Sequence, residues 1–480
     1  MKATSIFGGV QVFNIIIGII RSKFIALLLG PLGMGIAGLL TSTIGFVTAL
    51  TSFGLSTSAV KDIASAHSSG NEIRLAIIAK VFRQWVLITG LLGFIITAAF
   101  APWLSQLTFG NKDYTWAFIW ISITLLLNQI SVGQSVLLRG MRQIRYMAQS
   151  SMTGSVIGLI TTIPLYYFFG TEGIVPAIII AAATSLLLTW YYTNKLAIKP
   201  IYVSKARTYA EGKGMLKMGF MVSLSGIITL GVSYIVRIFI SKTGGVDQVG
   251  LYSAGFTIIN TYVGLIFTSM STDYYPRLAA VSHNNTESKR VINQQAEIAL
   301  LILAPIIMVF LVFINWVVIL LYSKQFIAVN DMILYAAIGM FFKAATWSIG
   351  FILLSKGASK VFFWSELLSN SYLLLFNILG YKYLGLGGMG ISFLLSYFLS
   401  LVQVFLIVKS KYEFSFTSSF YKIFVLQLIL ATGCLIVVKV CESPYSYVIG
   451  LFLIVISAYF AFYELDKRLD LKSLINNLRI

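Results

Sequence analysis

The chain has 480 residues, 58 % of them hydrophobic and only 11 % charged, with a mean hydropathy of +0.88, which excludes a soluble globular protein and describes an integral membrane protein. Its net charge of +19 would suit a nucleic-acid binder, but the cations gather in loops on one side of a series of apolar spans, so no nucleic-acid partner is expected. Cys434 and Cys441 flank one helix end, and His67 and His283 fall in separate loops, which leaves no metal site, redox pair or histidine triad and implies neither a cofactor nor an enzyme.

Apolar stretches of about 20 residues, the length that crosses a bilayer, recur near 5–29, 34–60, 77–100, 116–138, 147–169, 173–194, 217–241, 249–275, 293–322, 329–354, 361–381, 386–408, 418–438 and 444–463. They predict an all-α polytopic membrane protein of about fourteen transmembrane helices. The first span has no small-residue cleavage site after it and reads as a retained helix. Arg139, Arg142 and Arg145 crowd one loop, and Lys195, Lys199, Lys205, Arg207, Lys213 and Lys217 crowd another. With these on the inside, both termini are cytoplasmic, and only Lys112, Lys242, Lys324, Lys382 and Lys439 fall on the opposite side.

The most hydrophilic connection divides the first six spans from the rest. The expected organisation is an N-terminal six-helix lobe at 1–196, a cytoplasmic inter-lobe linker at 197–216, a C-terminal six-helix lobe at 217–408, and two additional helices with a tail at 409–480. A weak internal echo supports two lobes: Lys23 precedes Gly30 by seven residues, and Arg237 precedes Gly244 by the same interval. Blocks with an even number of spans share one orientation, which places a substrate path at their interface and permits alternating access.

Four cations lie inside the spans: Arg21, Lys23, Arg237 and Lys343. A cation at the centre of a spanning helix costs roughly 2.5–3.5 kcal/mol on the insertion scale, so a polar lumen or an anionic partner is required. Arg21, Lys23 and Arg237 stand close enough to span ends to snorkel toward headgroups. Lys343 is about twelve residues from either end of its span and resists that reading. Glu366 on the next span is the nearest acid in sequence, either as a structural ion-pair partner or across a lumen as a coupling group. Asp273 near the end of the eighth span is a second candidate for coupling or gating.

Several stretches carry a family resemblance: LLLGPLGMGIAGLL in the first two spans, FGNKDY at 109–114, LLRGMRQ after the fourth, VGLYSAGF at 249–256, and the run at 321–368 that includes Lys343 and Glu366. The chain resembles the Wzx-type flippases of O-antigen and enterobacterial common antigen units, in the polysaccharide transporter branch of the multidrug/oligosaccharidyl-lipid/polysaccharide exporter superfamily. The resemblance implies a bacterial inner-membrane flippase that carries undecaprenyl-diphosphate-linked oligosaccharide between leaflets. It also implies diphosphate binding by basic residues of the first helix, here Arg21 and Lys23; the repeat position of Arg237 and the depth of Lys343 make these two further candidate ligands of the diphosphate. The partners so implied are membrane lipids, a polysaccharide polymerase, a chain-length regulator, and a proton or sodium as coupling ion. A multidrug/cation antiporter and a lipid II flippase of the same superfamily are the alternatives. The antiporter would need buried carboxylates where this chain carries Lys and Arg.

Overall fold

The computed structural model describes residues 2–469 apart from 197 and 200, and the described residues form helices and turns with no β-strand among them. The helices are α1 (Lys2–Leu28), α2 (Gly30–Thr51), α3 (Leu55–Ser68), α4 (Glu72–Ala99), α5 (Ala101–Phe109), α6 (Thr115–Gly140), α7 (Ile144–Phe169), α8 (Ile174–Thr193) and α9 (Lys205–Gly244). They continue as α10 (Val246–Thr257), α11 (Leu265–Ala280), α12 (Asn285–Val312), α13 (Ile314–Leu321), α14 (Asn330–Ser355), α15 (Ser359–Tyr412), α16 (Ser418–Val440) and α17 (Tyr445–Leu469). A π-helical turn, Ile258–Val263, joins α10 to α11.

Twelve helical stretches are long and apolar enough to cross a membrane, and two of the twelve hold two crossings each. One, Ile144–Thr193, turns back at Gly170, whose φ is 54°. The other is α15, whose 54 residues would make about 80 Å of straight helix at 1.5 Å per residue, against a hydrocarbon thickness of about 30 Å. It reverses at Gly385 (φ 59°, ψ −142°). Contacts between its halves converge on that glycine: Gln403 donates to the Ser365 hydroxyl, Ser369 meets Ser400, Ser392 donates to the Phe376 carbonyl, and Gly380 abuts Gly388. Fourteen crossings result, as the hydropathy pattern predicts.

By packing, the chain divides into two compact units, Met1–Leu251 and Tyr252–Ile480. Within the first, α1 lies on α7, held by Asn14, whose side-chain amide donates to Ser151 (2.8 Å) and accepts from Ser155 (2.6 Å). Antiparallel packing of α2 on α9 and on the start of α10 depends on glycine at both ends. A Cβ on Gly35 would stand 1.9 Å from the Val246 carbonyl oxygen, and one on Gly250 would stand 1.9 Å from that of Pro31. At the other end Gly54 (φ 59°) and Gly219 touch backbone to backbone. Small residues allow membrane helices this approach.

Two elements differ from the hydropathy reading. The expected span 34–60 breaks after Thr51, where Phe53 and Gly54 both take positive φ, so α3 leaves as a separate helix. The expected linker 197–216 is helical from Lys205, because Ser204 caps the helix by accepting from the Arg207 amide. That helical arm is fixed to α4. The Trp85 indole donates to the Thr208 carbonyl at 3.0 Å and lies over Gly212, where a Cβ would come within 1.6 Å of its nitrogen. Thr208 donates to Gln84, and Glu211 pairs with Arg74 (2.7 Å) and Arg207 (3.1 Å). Asp62 on α3 sits beside this charge cluster; burial raises its carboxyl above the ordinary aspartate value, with Lys61 and Arg74 opposing.

In the second unit α12 is the most enclosed of the candidate spans. The last two helices are fastened to it by a nearly buried polar group. Arg468 of α17 pairs with Glu297 of α12 at 2.9 Å and with Glu464 at 2.6 Å, and donates to Ser419 of α16. Thr417 donates to the second Glu297 oxygen at 2.9 Å. Further along, Ser457 donates to Gln427 between α17 and α16 (2.6 Å), and Lys439 reaches Asp331 (3.1 Å) and Tyr335 (2.9 Å) on α14 and its start.

Candidate functional site

The six residues singled out by sequence separate between the two units. Arg21, Lys23 and Arg237 belong to the first, and Asp273, Lys343 and Glu366 to the second. On α1, Arg21 is exposed and Lys23 half-buried; the Arg21 charge is close enough to act on Tyr166 of α7. On α9, Arg237 is half-buried and turns its guanidinium back on its own helix, donating to the Ser233 hydroxyl and carbonyl.

Lys343 lies in the middle of α14, roughly 18–20 Å from either end at about 1.5 Å per residue. Its ammonium donates to the Asn260 side-chain oxygen at 2.7 Å and lies 5.2 Å from the Tyr397 ring centroid and 5.6 Å from that of Phe393. Asn260 is presented by the π-helical turn, marked by the Gly264 amide bonding five residues back to the Ile259 carbonyl. Such turns re-aim a side chain within an otherwise regular helix. The contact was missed in the sequence, where the only signal is a lone amide inside the apolar run SAGFTIINTYVG.

Glu366 does not pair with Lys343: no ion pair joins the two among the described residues. Its carboxylate is close enough to act on Tyr397 and Tyr372, so Tyr397 is a neighbour of both the acid and the lysine. Nearby Tyr372 donates to Ser369 within the first half of α15 at 3.0 Å, and Gln403 donates to Ser365 at 2.8 Å, which ties the second half to the first one residue from the carboxylate. Asp273 is exposed and approaches Arg277, one turn away on α11, at 3.9 Å; Arg277 in turn donates to Gln295 of α12 at 2.9 Å. That holds Asp273, midway along α11, in an ion pair on its own helix that does not include Lys343.

An ammonium carries three donors. Asn260 takes one, the ring faces add cation–π attraction of about 0.5–2 kcal/mol, and among the described residues no carboxylate pairs with the charge. A cation so held at mid-membrane is equipped to receive an anion. Glu366 on the neighbouring hairpin shares Tyr397 as a neighbour with the lysine.

Fourteen apolar crossings among the described residues, with cations inside the spans, define a polytopic membrane protein. The chain belongs to the polysaccharide biosynthesis protein family, whose model matches residues 24–331. It is 23 % identical over 370 residues to the lipid III flippase of Escherichia coli K12, covering 75 % of this chain and 86 % of that protein. It is 25 % identical over 344 residues to a putative O-antigen transporter of Shigella flexneri, covering 70 % and 80 %. Among solved structures it is similar to the lipid II flippase MurJ in an inward closed conformation, with a TM-score of 0.76 and 13 % identity over 96 % of this chain and 99 % of that one. The last likeness concerns the fold.

Proposed function

We infer that the protein flips a lipid-linked oligosaccharide, an undecaprenyl-diphosphate-linked repeat unit of a surface polysaccharide, from the cytoplasmic to the periplasmic leaflet of a bacterial inner membrane. The observation that carries this reading is Lys343, a mid-membrane ammonium with open donors and no acid partner. A diphosphate cannot cross hydrocarbon bare, and fixed cations in a polar path lower that barrier. Arg21, Lys23 and Arg237 serve as further diphosphate ligands along the path. Glu366 is the coupling group, binding a proton or sodium, and Asp273 gates through its contact with Arg277. Two six-helix lobes, 1–196 and 217–408, rock about the arm at 197–216, with the helices of 409–480 appended. Both termini are cytoplasmic, on the side of the loop cations, and the polysaccharide polymerase and chain-length regulator act on the flipped product at the opposite face.

The relatives' names, a lipid III flippase and a putative O-antigen transporter, support this substrate class. Lipid II is the second reading, favoured by a lipid II flippase whose fold matches 96 % of this chain. Deleting the gene in its host and analysing the lipid-linked intermediates decides between them. Accumulation of an undecaprenyl-diphosphate oligosaccharide with loss of surface polysaccharide is expected. Accumulation of lipid II would move the protein to the second reading, and no accumulation would refute both.

A further inference from the structure

Lys343, Trp347 and Phe351 follow one another on α14 at intervals of four, which stacks them along one side of the helix. Their rings are in contact, with Trp347 and Phe351 centroids 5.5 Å apart at 86°. From α11, Phe267 approaches Trp347 (5.3 Å), Tyr274 approaches both (5.4 and 5.5 Å), and Tyr275 approaches Phe351 (5.7 Å). These rings are not equivalent. Tyr274 is fully buried and donates its hydroxyl to the Ser348 carbonyl, so it forms the floor of the cluster. Trp347 and Phe351 are only half-buried, and Tyr275 is 40 % exposed.

The same side of α14 is open. Gly350 stands seven residues from Lys343, within about 20° of its direction on the helix, and a Cβ added there would meet nothing within 4 Å. Open space beside aromatic rings would suit lipid tails equally well, except that the line begins at an ammonium. A cation at mid-membrane faces protein or a water-filled path, not hydrocarbon. The line is therefore anchored at one end to a polar group inside the protein, and the surface it offers beyond Lys343 is aromatic. Ring faces carry a negative quadrupole and attract partly positive C–H groups, as presented by the flat face of a pyranose. From Lys343 to Phe351 the helix rises about 12 Å, enough for a short oligosaccharide.

We propose that Trp347, Phe351 and Tyr275 form a saccharide-binding platform that holds the sugars of the lipid-linked substrate while Lys343 holds its diphosphate. The proposal rests on the flippase reading and deepens it by assigning the glycan a place. Purified full-length protein in nanodiscs is titrated with two probes: undecaprenyl diphosphate, and the lipid-linked oligosaccharide extracted from host cells that lack this protein. The unsubstituted protein binds the saccharide-bearing probe at least tenfold more tightly. Trp347→Ala removes that preference and changes affinity for undecaprenyl diphosphate less than twofold, whereas Trp347→Phe keeps it. Gly350→Leu fills the open space without deleting a ring and removes the preference too, so the test survives if Trp347→Ala fails to fold. Wild-type preference in both Trp347→Ala and Gly350→Leu, or equal loss of both probes, overturns the platform. Lys343→Ala reports separately on the flippase reading: unchanged affinity for undecaprenyl diphosphate refutes the anion site, whatever the saccharide preference does.

Discussion

Arg468 is the perturbation whose effect follows most directly from the geometry. It is the single cation between Glu297 and Glu464, and all three side chains keep only 10–17 % of their exposure. Arg468→Ala strips Glu297 of its ion-pair partner and leaves Glu464 with only the half-exposed Lys467 at 3.4 Å, and breaking such a buried pair costs about 3–5 kcal/mol. Residual exposure places the value near the lower end, about 3 kcal/mol, or roughly a hundredfold shift toward undocking of α16 and α17 at about 1.4 kcal/mol per decade. Cys434, fully buried on α16 in the stripe Phe420, Ile423, Gln427, Ala431 and Cys434, is a native reporter of that opening. In a Cys441→Ser background and in detergent, the rate of Cys434 alkylation follows the undocked population when closing is faster than labelling. Arg468→Ala is expected to raise that rate about a hundredfold. Replacing all three charges by apolar residues of similar volume should recover most of the loss, since the desolvation cost of the ions disappears with them. A rate within threefold of the parent for Arg468→Ala would refute the reasoning.

Lys343→Ala and Arg21→Ala should each abolish surface polysaccharide while the protein stays in the membrane at normal abundance, checked by immunoblot and glycan staining; full function in both sinks the diphosphate clamp. Exchanging the charges, Lys343→Glu with Glu366→Lys, is expected to leave transport dead, because Lys343 bonds to Asn260 and no ion pair joins it to Glu366 among the described residues; restored polysaccharide would mean that they pair directly. Glu366→Gln should slow flipping in vesicles and flatten its response to an imposed proton or sodium gradient, and an unaltered gradient dependence removes Glu366 from coupling. Gly212→Val would drive a side chain into the Trp85 indole, an overpacking cost of about 1–3 kcal/mol, and trypsin should then cut the arm between Lys205 and Lys213 faster than in the parent.

The crossings were legible because each is a run of apolar residues longer than any soluble helix needs, and even the Gly385 reversal is signalled by the YLGLGGMG segment. Breaks set by backbone conformation were not. Phe53 takes a left-handed conformation that no hydropathy window registers, so α3 was read into its predecessor. The arm from Lys205 was read as a linker because its residues are polar, although its outward face needs no apolar residues when Trp85, Gln84 and Arg74 supply the contacts. At the site, the depth of Lys343 was visible from its distance to the span ends. Its partner was not, since a π-helical turn shifts the register of every residue after it. Sequence distance favoured Glu366, and three-dimensional placement chose Asn260.

Where Gly35 meets Val246 and Gly250 meets Pro31, the chain brings two bare stretches of backbone together with no side chain between them. Surfaces without teeth have no register to lose. They attract through shallow, short-range contacts, among them weak Cα–H···O bonds, and parting them strands neither a charge nor a side-chain donor. A seam of this kind can open and reseal on every turnover at little cost in either direction, whereas a single methyl group placed there acts as a permanent wedge and would hold the helices apart for good.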